Sequence, residues 1–482
     1  MTTNQALRPS HSVEQRVQKA WPRSSIRPVL ALGLAALCGL GSTGDLPCAE
    51  RSTWLAAQLR SANSKLPVDV RREKYDTMRK SALGFFRGSA HLFWQDFGTS
   101  PQLARFGGVA QTRTWLAGDA HPNNFGSFRN ARGSLIYDLN DFDESVIADY
   151  QLDLWRMGTS LVLLMREHGG FAATDEVQVL DAFTDRYLQT LATCVGSNLE
   201  TTVTLTAETA HGKLDDFLRS VANKKSRQRM LDSYTLKDER GQRVLSRQAS
   251  TDLADVPTAI VDAVRAAMPA YGASLQGGVR YSASHFAVKS VALRLHAGLG
   301  SLGSDRYYVL IEGETTSPDD DVILDVKAQV APSAYRNLSA QAIATTDQAA
   351  LHNHALRVVT AARSMGNYVD EYLGTMKLAQ GSYSVRERSP WKDYLDTDKL
   401  RTVEKLSKLA EQWAMLLAYA HARADQDAPG KVVPYDFEQE VTKRTQGKQA
   451  EFRALVRDIA LANAAQVNED FQAFLRAGAS AP

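Results

Sequence analysis

The stretch Gly118-Asp119-Ala120-His121-Pro122-Asn123-Asn124, followed seventeen residues after Asn124 by Asp141-Phe142-Asp143, decides how the rest of this chain is read. A carboxylate, an amide five residues on and a second carboxylate after a hairpin-sized gap are the groups that a magnesium-dependent phosphoryl-transfer site uses. In that reading Asp119 orients or deprotonates an attacking hydroxyl. Asn124 and Asp141 hold Mg²⁺, and Asp143 is either a further metal-site carboxylate or a turn residue. Ser134-Leu135-Ile136-Tyr137 reads as a strand that returns the chain to the same pocket. The plain alternative is that these Asp and Asn residues bond nearby backbone amides in turns. His121 reads as a brace within the loop and not as a metal ligand.

This segment resembles the catalytic segment of aminoglycoside and choline kinases, the small-molecule branch of the protein-kinase-like fold. Gly118, Asp119, His121 and Asn124 match its GDxHxxN pattern, and Asp141-Phe142 matches the aspartate and aromatic residue of the turn that follows. Asp153, twelve residues after Asp141, matches the aspartate that those kinases place at the start of the next helix. Over most of its length the chain also resembles the bacterial family known as domain of unknown function 2252. The residues that carry this likeness include Phe85-Phe86-Arg87-Gly88-Ser89-Ala90, the Asp119 segment, Gly300-Ser301-Leu302-Gly303 and Ala420-His421-Ala422-Arg423. The kinase resemblance implies ATP as donor and Mg²⁺ as its companion ion. The second family's name implies no activity.

Kinase-like folds place a β-rich lobe, with a glycine loop and a strand lysine that hold the phosphates, before the catalytic segment. Between residue 50 and Asp119 neither feature occurs, and both come later. Gly298-Leu299-Gly300-Ser301-Leu302-Gly303 is a GxGxxG, followed by the β-formers Arg306-Tyr307-Tyr308-Val309-Leu310-Ile311. A dinucleotide-binding motif would open a helix there, whereas a strand follows, as in a hairpin loop. The apolar run Val322-Ile323-Leu324-Asp325-Val326-Lys327 ends in a lysine. Gly298, Gly300, Ser301, Gly303 and Lys327 are therefore the candidate phosphate cradle. Taken singly, these features also fit an ordinary hairpin and a solvated lysine. Ala328 stands where the kinases' acidic residue would follow, which leaves the partner of Lys327 open. Asp370 or Glu371, at the end of the helical run from Arg357 to Val369, or Glu387, on the alternating Tyr383 to Glu387, could take that place. Arg87, flanked by aromatics and a glycine, suits clamping of a phosphate or carboxylate; a structural ion pair fits it as well.

Val403, Leu406, Leu409, Ala410, Trp413, Leu416, Leu417 and Ala420 recur at three- and four-residue steps and predict an amphipathic helix ending at His421-Ala422-Arg423. In small-molecule kinases a similar helix comes just before the catalytic loop; here it comes some three hundred residues after it. The expected fold is therefore α+β: a two-lobed, protein-kinase-like fold, circularly permuted, with added helical segments. Its expected parts are a signal-like segment 1–49, an added helical segment 50–118 and a catalytic, metal-turn and helical region 119–280. A β-rich nucleotide lobe 281–390 and a helical segment 391–482 follow.

With 482 residues, 44% of them hydrophobic, the chain can bury a full core. A net charge of +2 gives no bulk attraction for nucleic acid. Basic residues precede the apolar run from Val29 to Leu40, an order that reads as a secretory signal and is too short for a stable membrane span. Cleavage would make the protein periplasmic or secreted, with Cys194 as its only cysteine and hence no disulfide. A downstream start would leave it cytoplasmic. The expected function is a Mg-ATP-dependent phosphotransferase whose partners are a nucleotide and an unidentified small-molecule or protein acceptor. The alternatives are an exported pseudokinase or ligand-binding protein without turnover, and a Mg-dependent phosphoester hydrolase.

Overall fold

The computed structural model describes residues 48–276, 281–296, 298, 302–426 and 432–477. Nearly all of the signal-like segment 1–49, together with Gly300 and Ser301, lies outside them. The described chain is mixed α+β, with long helices, one six-stranded sheet and three two-stranded pairs. No helix among the described residues is long and apolar enough to cross a membrane.

The main apolar core forms around the helix Gln151–His168, whose residues from Gln151 to Met165 are all buried. It can be apolar on nearly all sides because the helices Ala82–Gly88, Ala173–Cys194 and Gln449–Arg476 pack against it. The helix Val403–Arg423 starts at Thr402, whose side chain accepts from Lys405 N, and buries the stripe Leu406, Leu409, Trp413, Leu416 and Leu417. Trp413 is fully buried, and its Nε1 donates to the Tyr137 hydroxyl at 3.0 Å. Against alanine, such a side chain is worth roughly 3–5 kcal/mol.

The six-stranded sheet is antiparallel throughout, in the order Gly374–Leu378, Gly381–Glu387, Val322–Ala328, Arg306–Ile311, Val288–Arg294, Leu253–Ala254. Along its third strand Val322, Leu324 and Val326 enter one core with Val264 and Met268, while Ile323 enters a smaller one with Met230 and Leu231. Both faces are covered, which is why this strand reads as a continuous apolar run. The same alternation puts Asp325 and Lys327 on the face of Ile323. The larger core takes in the helix Thr258–Ala273 and the smaller one Leu253 of the edge strand Leu253–Ala254, both upstream of the boundary at residue 281.

Two short ladders set the site. Arg113–Leu116 pairs with Val146–Asp149, Leu116 opposite Val146, and Phe125–Arg129 pairs with Leu135–Leu139, Phe125 opposite Leu139. Residues 117–124 and 140–145 are thus the connections leaving both ladders at adjoining ends. Asn140 N donates to Asn124 O at 2.9 Å. Gly118 sits at φ 77°, and a Cβ there would lie 1.9 Å from Glu144 O, so this contact of loop and turn admits glycine alone.

Candidate active site

The Asp119 loop is fixed by buried groups around it. Ala117 N and Gly118 N donate to the carboxylate of Asp153 at 2.7 and 3.0 Å, and Trp94 Nε1 donates to Gly118 O at 3.0 Å. Asp153 in turn lies 3.3 Å from His421 Nε2, and Thr114 Oγ1 donates to His421 O at 2.9 Å. The end of the helix Val403–Arg423 is therefore one side chain away from Gly118. Asp119 Oδ1 receives Arg156 Nε at 2.6 Å and pairs with Arg156 Nη2 as well. Oδ2 stands 3.7 Å from His121 Nε2, beyond hydrogen-bond distance. Burial pushes the Asp119 carboxyl above its ordinary range, with Arg156 pulling against it. Asn124 Nδ2 donates to Asp119 O at 2.6 Å, which leaves Asn124 Oδ1 as the atom available to a ligand.

The 140–145 turn is held by residues from much later in the chain. Lys327 Nζ forms an ion pair with Asp143 Oδ2, and Gln329 Nε2 donates to Asp143 Oδ1 at 2.8 Å. Burial acts to raise the Asp143 carboxyl, but Lys327 prevails and holds it well below the usual carboxylate range. Arg386 Nη1 donates to Asn140 O at 2.7 Å, and buried Arg357 donates to Asp143 O and Ser145 O at 2.7 and 2.6 Å. Asp141, between these anchors, makes no ion pair among the described residues; its Oδ1 receives one long bond, 3.4 Å from Asp143 N. Both amide atoms of Asn140 are buried without a partner. Asn140, Asp141, Asp143, Lys327, Arg386 and Lys392 line a cleft with about 870 Å³ of empty space, open to solvent.

None of the three carboxylates considered for Lys327 takes it. Asp370 Oδ2 accepts from Glu387 N at 2.5 Å, Glu387 pairs with Arg227 at 2.9 Å, and Glu371 accepts the Tyr281 hydroxyl at 2.5 Å. Glu387 stands opposite Leu324, three residues from Lys327 along the strand, and so reaches the other end of the ladder. The helix His354–Met365 turns Arg357, and no carboxylate, toward the turn.

The fold brings Asp141, Asp143 and Lys327 into one cleft; Asn124, bonded through its carbonyl to Asn140, and Asp119, in the field of Asp141, sit on the adjoining loop and do not line it. It does not bring the described glycines into the cleft. Gly298 is exposed, and Gly303, at φ 87°, packs on Leu66, beside the helix Val68–Met78. Arg87 does not line the cleft either; the strongest attraction on it comes from Asp119. Residues that sequence reasoning passed over are Arg156, Asn140, Gln329, Arg357, Arg386 and Lys392. Arg156 carried a signal, as the only arginine in the apolar run from Leu152 to Met165. The contributions of Arg357, Arg386 and Lys392 depend on non-local pairing and carried none.

Residues 67–477 match the model of a family described as an uncharacterized protein conserved in bacteria, domain of unknown function 2252. The chain belongs to that family. The matched span of this domain of unknown function holds every site residue named above. No curated protein and no solved structure matches the chain.

Proposed function

We propose that the chain is a Mg-ATP-dependent phosphotransferase, two-lobed and kinase-like in arrangement, with its parts in circularly permuted order. The observation that carries this reading is the ion pair of Lys327 with Asp143, 184 residues earlier, beside the unpaired Asp141. The permutation is supported by the approach of His421 to Gly118 through Asp153.

The residues fit the ligands. Asp141, Asn124 Oδ1 and Asn140 Oδ1 offer the hard oxygen donors that Mg²⁺ takes. Burial, then Arg386 and Arg306, push the Lys392 ammonium well below its ordinary range, a crowding of cations that a polyphosphate relieves. Mg²⁺ would supply neutralisation of the charge that grows on the phosphates. Lys327 and Arg386 would orient the donor. Asp119 Oδ2 would take the proton of the acceptor hydroxyl as its oxygen bonds to the terminal phosphorus and the nucleoside diphosphate leaves. Arg156 keeps the other oxygen in place.

The test is thermal unfolding of the full chain with ATP and Mg²⁺. A ligand at a hundred times its dissociation constant adds about 2.7 kcal/mol of stability. No shift with any nucleotide at millimolar concentration sinks the reading and favours the hydrolase. A second reading, nucleotide binding without turnover, is favoured by the cations already seated on Asp119 and Asp143, which balance the site as it stands. It predicts the stabilisation without any release of diphosphate.

A further inference from the structure

The segment before Asp119 supplies two basic groups, Lys74 and Arg87, that form no ion pair among the described residues. Arg87 makes no hydrogen bond or ion pair among the described residues, and its Nε is buried without a partner. His91 is 5% exposed with Nε2 unpartnered, and fully buried Arg156 keeps Nη1 unpartnered while its other nitrogens hold Asp119 and Phe86 O. These groups share one neighbourhood. The Arg156 guanidinium lies 4.2 Å from the centre of the Phe86 ring, the residue before Arg87. His91 shares the helix Ala90–Phe97 with Trp94, which donates to Gly118 O. The ring of His91 is in the field of Lys74, Arg336 and Arg156, and burial, foremost, pushes it down to about 3, so it is neutral. Burial likewise pushes Lys74 down to about 8; Glu144 is the carboxylate that acts on it, and Glu144 already accepts from Ser333 N at 2.6 Å.

Lys74, Arg87 and Arg156 lie in the field of Glu144, Asp119, Asp141 and Glu167, yet the one ion pair among them is that of Arg156 with Asp119. Buried nitrogens without a hydrogen-bond partner, here Arg87 Nε, His91 Nε2 and Arg156 Nη1, are costly to keep, and they mark a place where an anion completes the site. An arginine fork, a lysine and a neutral imidazole donor suit an oxyanion. None of Lys74, Arg87 and His91 lines the cleft that holds Lys327.

We propose that the phosphoryl acceptor carries an oxyanion, a phosphate ester or a carboxylate, which seats among Lys74, Arg87 and His91 beside Asp119. This assignment rests on the phosphotransferase reading for the word acceptor, but the oxyanion site itself can be tested without nucleotide. The cluster would hold the acceptor by its charged end and leave its hydroxyl to Asp119 Oδ2. Compounds lacking the anion would bind poorly.

The experiment is calorimetric titration of the full chain, free of nucleotide, with inorganic phosphate and separately with acetate. Saturable binding of at least one is expected, weakened about tenfold or more by Lys74→Met and by Arg87→Met and surviving Lys327→Met, which alters the donor cleft. Tighter binding of phosphate assigns a phosphate ester, and tighter binding of acetate a carboxylate. Lys74→Met removes a half-buried charge that makes no ion pair, so its melting temperature without anion should not fall, and its stabilisation by Mg-ATP should match that of the unaltered chain. No saturable binding of either anion overturns the proposal. So does binding that Lys327→Met abolishes, or binding that ignores both Lys74→Met and Arg87→Met. If the anion behaves as expected while no nucleotide stabilises the chain, the oxyanion site stands and the phosphotransferase reading falls.

Discussion

The 117–124 loop and the 140–145 turn meet at Gly118 and Glu144, yet they are held in different ways. The loop is anchored mainly by buried groups of its own region, Trp94, Asp153 and Arg156, and its acid is neutralised in place. The turn is anchored by Lys327, Arg357 and Arg386, from the later half of the chain, and one of its acids, Asp141, makes no ion pair among the described residues. The loop therefore behaves as part of the core. The turn behaves as a joint with one carboxylate, Asp141, outside any ion pair. A site made of one preorganised acid and one unpaired acid suits chemistry in which a proton acceptor is fixed and a metal comes with the substrate.

The largest effect should come from Asp141→Asn. Turnover of Mg-nucleotide should fall by about 10²–10³-fold or more, as when a preorganised charge is removed from a transition state. The melting temperature should hold or rise, because the lost charge repels Asp119 and has no ion-pair partner. Steady-state diphosphate release and a melting curve decide it. A variant that unfolds readily would place Asp141 among the structural groups and erase its contrast with Asp119.

Next in size is Asp153→Ala, which should act on stability. The change leaves Ala117 N and Gly118 N buried without an acceptor, at about 1–3 kcal/mol each. Urea unfolding measures the loss, and a cost below 1 kcal/mol would mean that the loop is less firmly anchored than its hydrogen bonds imply.

The same contrast explains what could be read from the sequence. Local patterns were legible: the three- and four-residue spacing gave away the helix Val403–Arg423, and the β-formers gave away Arg306–Ile311 and Val322–Ala328. The Asp119 and Asp141 segments stood out because their residues lie close together in the chain. The partner of Lys327 was hidden because it depends on how a strand faces a turn 184 residues away. Arg357 was hidden for a like reason, since its acceptors on Ser145 and Asp143 lie 212 and 214 residues earlier. The strand Leu253–Ala254 is too short to leave a periodic trace, so the extent of the sheet upstream of residue 281 was not visible.

The smallest effect is the most specific, because the two regions should respond to pH with opposite signs. Asp143 has a folded carboxyl below the ordinary value of about 3.9, so it contributes stability above that value and loses it as pH falls toward its folded pKa. Asp119 has a folded carboxyl above that value. Its contribution is complete below pH of about 3.9 and declines as pH rises toward its folded pKa. The stability gap between the unaltered chain and Asp143→Asn should therefore widen with pH up to about 4 and then stay level. The gap for Asp119→Asn should narrow above about pH 4, upon a constant offset from the orphaned Arg156. Urea unfolding of the three proteins from acid to neutral pH reads both slopes. Slopes of the same sign would mean that Lys327 does not hold Asp143 in solution, or that Arg156 outweighs burial at Asp119. A flat difference for Asp143→Asn identifies the first failure, and a gap for Asp119→Asn that widens with pH identifies the second.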